Sequence, residues 1–264
     1  MINHRILKEQ ELKLLLKTID KDKNLLFYSY LTLRKEKSQF FGQFVDNQLT
    51  SVLAYLRGLP FNAFSFYNKE SSPAALKELI EFTRENTGLS KGDTCNTIIS
   101  DQDLELFQAL NTVKGTPKKF IYMKHYDNDK LLESDLPVLI EEKNFNQVCE
   151  FMRASGMNYF TESELYGCPF VGIKELDEFY CVGGFHLYDT QLVEIGNIVT
   201  RPDQRGRGLG KIITSKLTQI GKERADDVYL GVFADNAPAI RVYEGLGYHP
   251  IARLNVTDFH MNVL

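Results

Sequence analysis

The sequence predicts an α+β protein laid out twice, in two halves of about equal length. Three observations carry this. Short apolar runs with strand character alternate with amphipathic stretches of helical period. One order is read in each half: helix, hairpin strands, strand, helix, strand, helix, strand. Between the halves, a polar stretch from Asp127 to Asp135 leads into Pro137. The domains expected are therefore 1–126 and 135–264.

In the first half, Ile6, Leu12, Leu15, Leu16 and Ile19 fall at helical spacing and predict a helix over Arg5–Ile19. Apolar runs at Leu25–Leu33, Phe40–Val45 and Thr50–Leu56 read as strands, with Asp46-Asn47 as a tight hairpin turn. Phe61–Tyr67 reads as a further strand. Ser72 and Pro73 form a cap and first-turn pair for a helix running toward Gly88. A strand at Cys95–Ser100, a helix at Asp101–Leu110 and a strand at Lys118–His125 complete this half.

The second half opens with helical patterns over Val138–Met152 and Glu162–Leu165. Strands follow at Phe170–Lys174, Phe179–Tyr188 and Gln191–Val199. A helix from Gly208 to Arg224, a strand at Val228–Phe233, a helix at Pro238–Leu246 and strand material from Tyr248 to Val263 close the chain.

Of the 264 residues 43% are hydrophobic and 25% charged, with a net charge of −4. That composition can bury a sizeable core, and its sign argues against a nucleic-acid partner. Lys114, Lys118, Lys119 and Lys124 form the one basic cluster, which a solvated strand face explains. Met1-Ile2-Asn3-His4-Arg5 leads into a charged pattern, and no apolar run approaches the ~18 residues of a membrane span. The expectation is a cytoplasmic protein without a membrane partner, monomeric or a homodimer. Cys95, Cys149, Cys168 and Cys181 make no C-x-x-C pair, so buried free thiols are expected rather than a metal site or a disulfide framework.

The most informative segment is Gln204-Arg205-Gly206-Arg207-Gly208-Leu209-Gly210-Lys211, between an apolar strand and an amphipathic helix. The first amides of a helix have no partner within it, and its dipole places partial positive charge there. Glycine removes the Cβ atoms that would keep a phosphate at a distance and permits positive φ. Arg205 and Arg207 add charged donors. The pattern is neither a Walker loop nor the dinucleotide fingerprint. One strand later, Asn236 caps a helix that begins with Pro238 and ends near Gly245 or Gly247.

Together these segments resemble the GNAT superfamily of N-acetyltransferases. Arg205, Gly208 and Gly210 match its R-x-x-G-x-G motif, and Asn236, Ala239, Tyr243, Gly247 and Tyr248 match N-x-x-A-x-x-x-Y-x-x-x-G-[FY]. Glu194 to Pro202 is similar to the family's pantetheine-binding strand, and its wording around Glu194 is similar to the glycine N-acyltransferase-like branch. The resemblance covers residues 135–264. It implies a mixed, mostly antiparallel sheet flanked by helices, which the repeated order of elements extends to two tandem copies, and transfer of an acetyl or other short acyl group from acetyl-CoA to an amine. It further implies that Ile198, Val199 and Thr200 present backbone to pantetheine and thioester. Arg205, Gly206, Arg207, Gly208, Leu209, Gly210 and Lys211 would cradle the pyrophosphate. Asn236 would contact pantetheine or adenosine phosphate, and Tyr243 would sit near the sulfur. No metal is implied.

The chemistry needs a neutral amine nucleophile and a proton for the departing thiolate. Glu194 lies in the apolar run Leu192-Val193-Glu194-Ile195, where a carboxylate without a role is costly, and is the candidate base. Tyr243 is the candidate acid and His186 the second candidate base. A bulge at Gly196-Asn197 would free amides of Val199 or Thr200 to polarise the thioester carbonyl. The acceptor expected is a small-molecule amine or amino acid, with a protein amine as the alternative.

In the first half, the corresponding turn is Asn68-Lys69-Glu70-Ser71-Ser72-Pro73, without glycine or arginine, and Asp101-Gln102-Asp103 stands where Asn236 would be. Both carry negative charge. The first half is therefore expected to be a degenerate copy that shapes an acceptor pocket or an interface. Phe61, Phe64, Phe66 and Tyr67 serve either that pocket or the core.

Overall fold

The computed structural model describes residues 1–69, 73–157, 160 and 162–262. It divides into two units, Met1–Phe120 with Ala252–Leu264, and Ile121–Ile251. Each is an α+β unit with a mostly antiparallel sheet flanked by helices.

In the first unit, β1 (Ile2–Ile6), β2 (Ser38–Val45), β3 (Gln48–Leu56) and β4 (Asn62–Asn68) pair antiparallel in that order. Asp46 and Asn47 close the β2–β3 hairpin at φ of 48° and 65°, the left-handed pair that such turns require. β5 (Thr94–Ile99) runs parallel to β4, paired at Asn62↔Cys95 and Ala63↔Asn96. The last part of β12 (Tyr248–His260) pairs antiparallel with β5, from Asn255↔Ile99 to His260↔Thr94. The strand alternation sends side chains to two cores. Phe41, Leu53, Phe64 and Phe66 meet α3 (Pro73–Thr87) and α4 (Asp101–Ala109). Val52, Ala54 and Tyr67 meet α1 (Glu9–Thr18) and α2 (Leu25–Leu31). Phe64, Phe66 and Tyr67 are thus core residues, with Phe61 packed at the edge.

Two expectations for this unit are corrected. Arg5–Ile19 is not one helix: the chain pairs as β1 with β2 before α1 begins at Glu9. Arg5 anchors this corner, donating to Glu11 at 2.7 Å and lying 3.9 Å over the Phe44 ring. Leu25–Leu33 is not a strand but contains α2, buried almost all round. A short apolar run has no period to distinguish a buried helix from a strand. The expected Ser72 cap, with Glu70 and Ser71, lies outside the described residues.

In the second unit, β7 (Val138–Leu139), β8 (Phe170–Glu175), β9 (Glu178–Leu187) and β10 (Leu192–Thr200) pair antiparallel in order, and β11 (Asp227–Phe233) runs parallel to β10. β6 (Val113–His125) contributes its last residues beside β11. One face carries α7 (Leu209–Lys222) and α8 (Ala237–Glu244) over Val193, Ile195, Cys181 and Phe185. The other carries α5 (Phe145–Ala154) and α6 (Ser163–Gly167) over Phe170, Val182 and Val199. The helix expected over Val138–Met152 is instead β7 followed by α5. Pairing of Val138 with Gly172 and Leu139 with Val171 claims its first turn for the sheet. Among the described residues, no helix is long and apolar enough to cross a membrane.

Gly183 sets how closely α7 approaches β9. A Cβ there would fall 2.8 Å from Ile213 Cγ2, 2.9 Å from Leu217 Cδ1 and 3.0 Å from Ile198 Cγ1. Gly183→Ala should therefore lower unfolding free energy by about 1–3 kcal/mol through overpacking, read as an earlier urea midpoint; an unchanged midpoint would contradict this packing.

His125, at the end of β6, is 3% exposed and hydrogen-bonds the Leu246 carbonyl through Nε2 at 2.9 Å. Burial, with Lys222 adding to it, pushes its pKa down to about 4. A lowered imidazole pKa means the unfolded chain binds the proton first. The contribution is present above the ordinary value near 6.5 and is lost as pH falls toward 4. Between pH 7.5 and 4.5, wild type should lose a few kcal/mol more stability than His125→Gln, measured by urea titration. Equal losses would remove His125 from the acid response.

Candidate active site

The site is built where β10 leaves β11. Their parallel ladder runs from Leu192↔Asp227 to Ile195↔Leu230 and stops. On its other edge β10 shifts register against β9 between Gly196 and Val199, with Asn197 at φ 53°. The expected bulge is therefore present at the expected residues. It turns over the facing of the strand: Ile195 and Val193 pack toward α7, whereas Val199 packs toward α5. Beyond the bulge, Ile198, Val199 and Thr200 run along β9 without a β11 ladder on the other side.

The chain then makes a 3₁₀ turn, Pro202–Gln204, and reaches α7 through Arg205–Gly208. Gly206 and Gly208 take φ of 78° and 77°, a region glycine enters without the cost other residues bear. A Cβ at either would meet nothing within 4 Å, so the space above the turn is open. The Ile212 amide makes the first helical bond, to the Gly208 carbonyl at 3.1 Å. The amides of Leu209, Gly210 and Lys211 thus precede the ladder of α7. The Arg205 amide is already used, donating to the Pro202 carbonyl at 3.4 Å.

Charge in the turn is sorted by pairing. Arg201 donates from Nε to Asp203 at 2.7 Å, from Nη2 to Asp203 at 2.9 Å and from Nη1 to Glu178 at 2.7 Å. These bonds hold the Asp203 carboxyl below its usual range and neutralise it beside the turn. Arg205 donates instead to the Thr200 carbonyl at 3.4 Å, and Arg207 to the Gln204 side-chain oxygen. Among the described residues neither is paired with a carboxylate, so the cradle of amides keeps two cations at its rim.

Asn236 caps α8, its side chain accepting from the Ala239 amide at 3.3 Å, with Pro238 in the first turn. One helix face brings Tyr243 against the α7-side core, 6.1 Å from the Tyr248 ring. Burial, with a smaller contribution from the Cys181 thiol, pushes its phenol up to about 12. Tyr243 therefore stays protonated through neutral pH. Cys181 also meets the Thr200 hydroxyl at 3.1 Å, which ties this corner to the end of β10.

Glu194 lies on the opposite face from Val193 and Ile195, accepting from the Tyr188 hydroxyl and paired in register with His186. The two candidate groups lie on opposite sides of the sheet: Glu194 on the face of β10 away from α7, Tyr243 against the α7-side core. His186 stands between Glu164, 3.2 Å from Nε2, and Cys168, 3.4 Å from Nδ1. The sequence points to His186, and to Cys168 only as a buried free thiol, which the structure leaves partly exposed; Glu164 and Tyr188 carry no local motif that would mark them.

The first unit carries the same frame with different side chains. Ser100 caps α4 by accepting from Asp103, as Asn236 caps α8. Asn68 at the end of β4 donates to the Asp103 carboxylate at 3.0 Å. A carboxylate thus stands in the first turn of α4, where the first turn of α8 has none.

Residues 129–248, a little under half of the chain, match the model of the acetyltransferase (GNAT) family. Among curated proteins, a mycothiol acetyltransferase of Actinosynnema mirum is 39% identical over 69 residues, 25% of this chain and 23% of that protein. The match thus spans under a quarter of that relative's length. A GCN5-related N-acetyltransferase of Sphaerobacter thermophilus shares the fold, with a TM-score of 0.71 at 11% identity, over 98% of this chain and 96% of that one. A tandem GNAT protein from the clavulanic acid biosynthesis pathway shares it over 99% of both chains, with a TM-score of 0.66 at 11% identity. Two copies of one fold in a single chain are thus an observed arrangement.

Asn236→Ala should cost about 1 kcal/mol through loss of the cap, with Asn236→Asp retaining most of it. Equal thermal midpoints for Asn236→Ala and wild type would show that the cap bond contributes nothing.

Proposed function

We propose that the protein is an acetyl-CoA-dependent N-acetyltransferase, passing the acyl group to a primary amine by direct attack on the thioester. The observation that carries this reading is the turn at 206–211. Amides ahead of a helix, open space above two positive-φ glycines and two cations that, among the described residues, pair with no carboxylate suit a diphosphate. The family match over the same residues supports it.

In this reading the pyrophosphate of the donor sits on residues 205–211, beside Arg205 and Arg207. Pantetheine follows Ile198, Val199 and Thr200 along the edge that β11 has left, with Asn236 on its far side. The thioester enters where the strands diverge, and amides freed at the bulge polarise its carbonyl. Glu194, on one side of the sheet, removes a proton from the acceptor ammonium, whose ordinary pKa near 10.4 leaves it charged at neutral pH. Tyr243, on the other side and held protonated by burial, gives its proton to the departing thiolate.

The acceptor is a small amine or amino acid, reached from the side of α5 and α6. The first unit does not hold the donor in this way, because its turn Asn68-Lys69-Glu70-Ser71-Ser72-Pro73 has neither glycine nor arginine, and the Asp103 carboxylate stands at the helix that corresponds to the Asn236 helix.

Thiol release from acetyl-CoA with a panel of amines tests the assignment. Glu194→Gln should lower turnover by about 10²-fold or more while leaving acetyl-CoA affinity within about twofold. Arg205→Ala should weaken acetyl-CoA by about tenfold, the loss of a charged donor. Acetyl-CoA binding without acceleration by any amine would make the protein a CoA-binding regulator instead. Unchanged turnover in Glu194→Gln would remove Glu194 from the mechanism.

A further inference from the structure

The α5/α6 side of the second unit holds a chain of reactive groups that direct transfer does not use. Glu164 lies on α6, and Cys168 is the extended residue that caps its end, so the two side chains reach the same histidine from adjoining backbone. The Cys168 amide donates to the Glu164 carbonyl at 3.1 Å, which fixes their spacing. His186 on β9 fits between the two side chains, with Nε2 3.2 Å from Glu164 Oε2 and Nδ1 3.4 Å from Cys168 Sγ.

The order of the groups assigns the protons. The Glu164 carboxylate accepts from the Asn197 side-chain amide at 2.8 Å, and the imidazole offers it Nε2–H. That tautomer leaves the lone pair of Nδ1 facing the thiol. A thiol, an imidazole base and an orienting carboxylate in this order form the arrangement of an activated nucleophile. Its anchor, Asn197, is the bulge residue of β10, and His186 is the cross-strand neighbour of Glu194. The relay is thus bonded to the strand stretch assigned to the thioester.

We propose that Cys168 is a self-acylation site, taking the acyl group of the donor thioester with His186 as base and Glu164 as the residue positioning it. This rests on the acyl-CoA reading for its natural donor. In the step, the thiol proton passes to His186 Nδ1 as Sγ forms a bond to the acyl carbon. The bond from that carbon to the CoA sulfur then breaks, and the CoA thiolate takes the proton from His186. The products are S-acyl-Cys168 and free CoA, with no change of oxidation state. With amine present, direct attack competes for the same thioester; without it, the acyl group rests on Cys168. Cys149, also half-exposed, has its thiol pushed up by burial and by Glu162, and provides the internal comparison.

The test uses the full chain without amine, given acetyl-CoA or, separately, S-acetyl-N-acetylcysteamine, a thioester without the nucleotide. Peptide mass mapping should find one acetyl group on Cys168, released by neutral hydroxylamine, and none on Cys149. Cys168→Ala should abolish it, while His186→Gln and Glu164→Gln, checked for native melting, should slow it by at least about tenfold. Labelling by the short thioester with no binding of acetyl-CoA would overturn the CoA reading and leave the relay standing. Absence of label with acetyl-CoA bound, equal labelling of Cys149, or an unchanged rate in His186→Gln would overturn the proposal. Absence of both label and binding would overturn both readings.

Discussion

The second unit depends on one constraint: β10 cannot satisfy both of its edges along its whole length. Its parallel ladder with β11 ends at Ile195, and its ladder with β9 shifts within two residues of that point. Backbone groups that a continuous β11 ladder would consume beyond Ile195 are therefore left to other partners, while β9 still pairs with Val199 and Thr200. The turn that follows extends the same condition into the start of α7, where the helix has no earlier carbonyls to accept its amides. A backbone left unpaired in this way is costly unless water or a ligand meets it. Glycine at 206 and 208 keeps that space open, because any side chain there would both strain the turn and fill it.

The surrounding packing sets how closely α7 lies on the strands beside this site. Gly183 lets α7 approach β9, and Gly221 does the same over β10, where a Cβ would stand 2.8 Å from Val193 Cγ1. Tyr248 is fully buried and shares a hydrogen bond of 2.7 Å with the Thr218 hydroxyl on α7. His125 ties β6 to the end of α8 through Leu246. The helices on this face are therefore rigid supports for the cleft. The opposite face is more polar, with Glu194, His186, Glu164 and Cys168 gathered around it, and it is there that proton and acyl chemistry is placed.

Much of this was legible in the sequence because its signals are local. Glycine spacing at 206–210, the Asn236 cap and the Asp46-Asn47 turn each depend on a few adjacent residues. The bulge at Gly196-Asn197 was readable for the same reason. What was not legible depends on partners distant in sequence. Ile2–Ile6 becomes a strand because Phe41–Val45 offers it an edge, and Val138–Leu139 because β8 does. Leu25–Leu31 has a strand-like composition, and only burial on both sides reveals a helix. The Glu164–His186–Cys168 chain joins α6 to β9, and neither segment alone predicts it.

The central claim is that main-chain amides and two arginines at 205–211 grip a diphosphate. Calorimetric titration with CoA and with pantetheine, which lacks the nucleotide and its pyrophosphate, tests it most directly. Several charge-assisted hydrogen bonds, each worth about 1.5–3 kcal/mol, predict CoA affinity at least about 100-fold above that of pantetheine, falling with added salt. Equal affinities for the two, or a CoA affinity indifferent to salt, would contradict it.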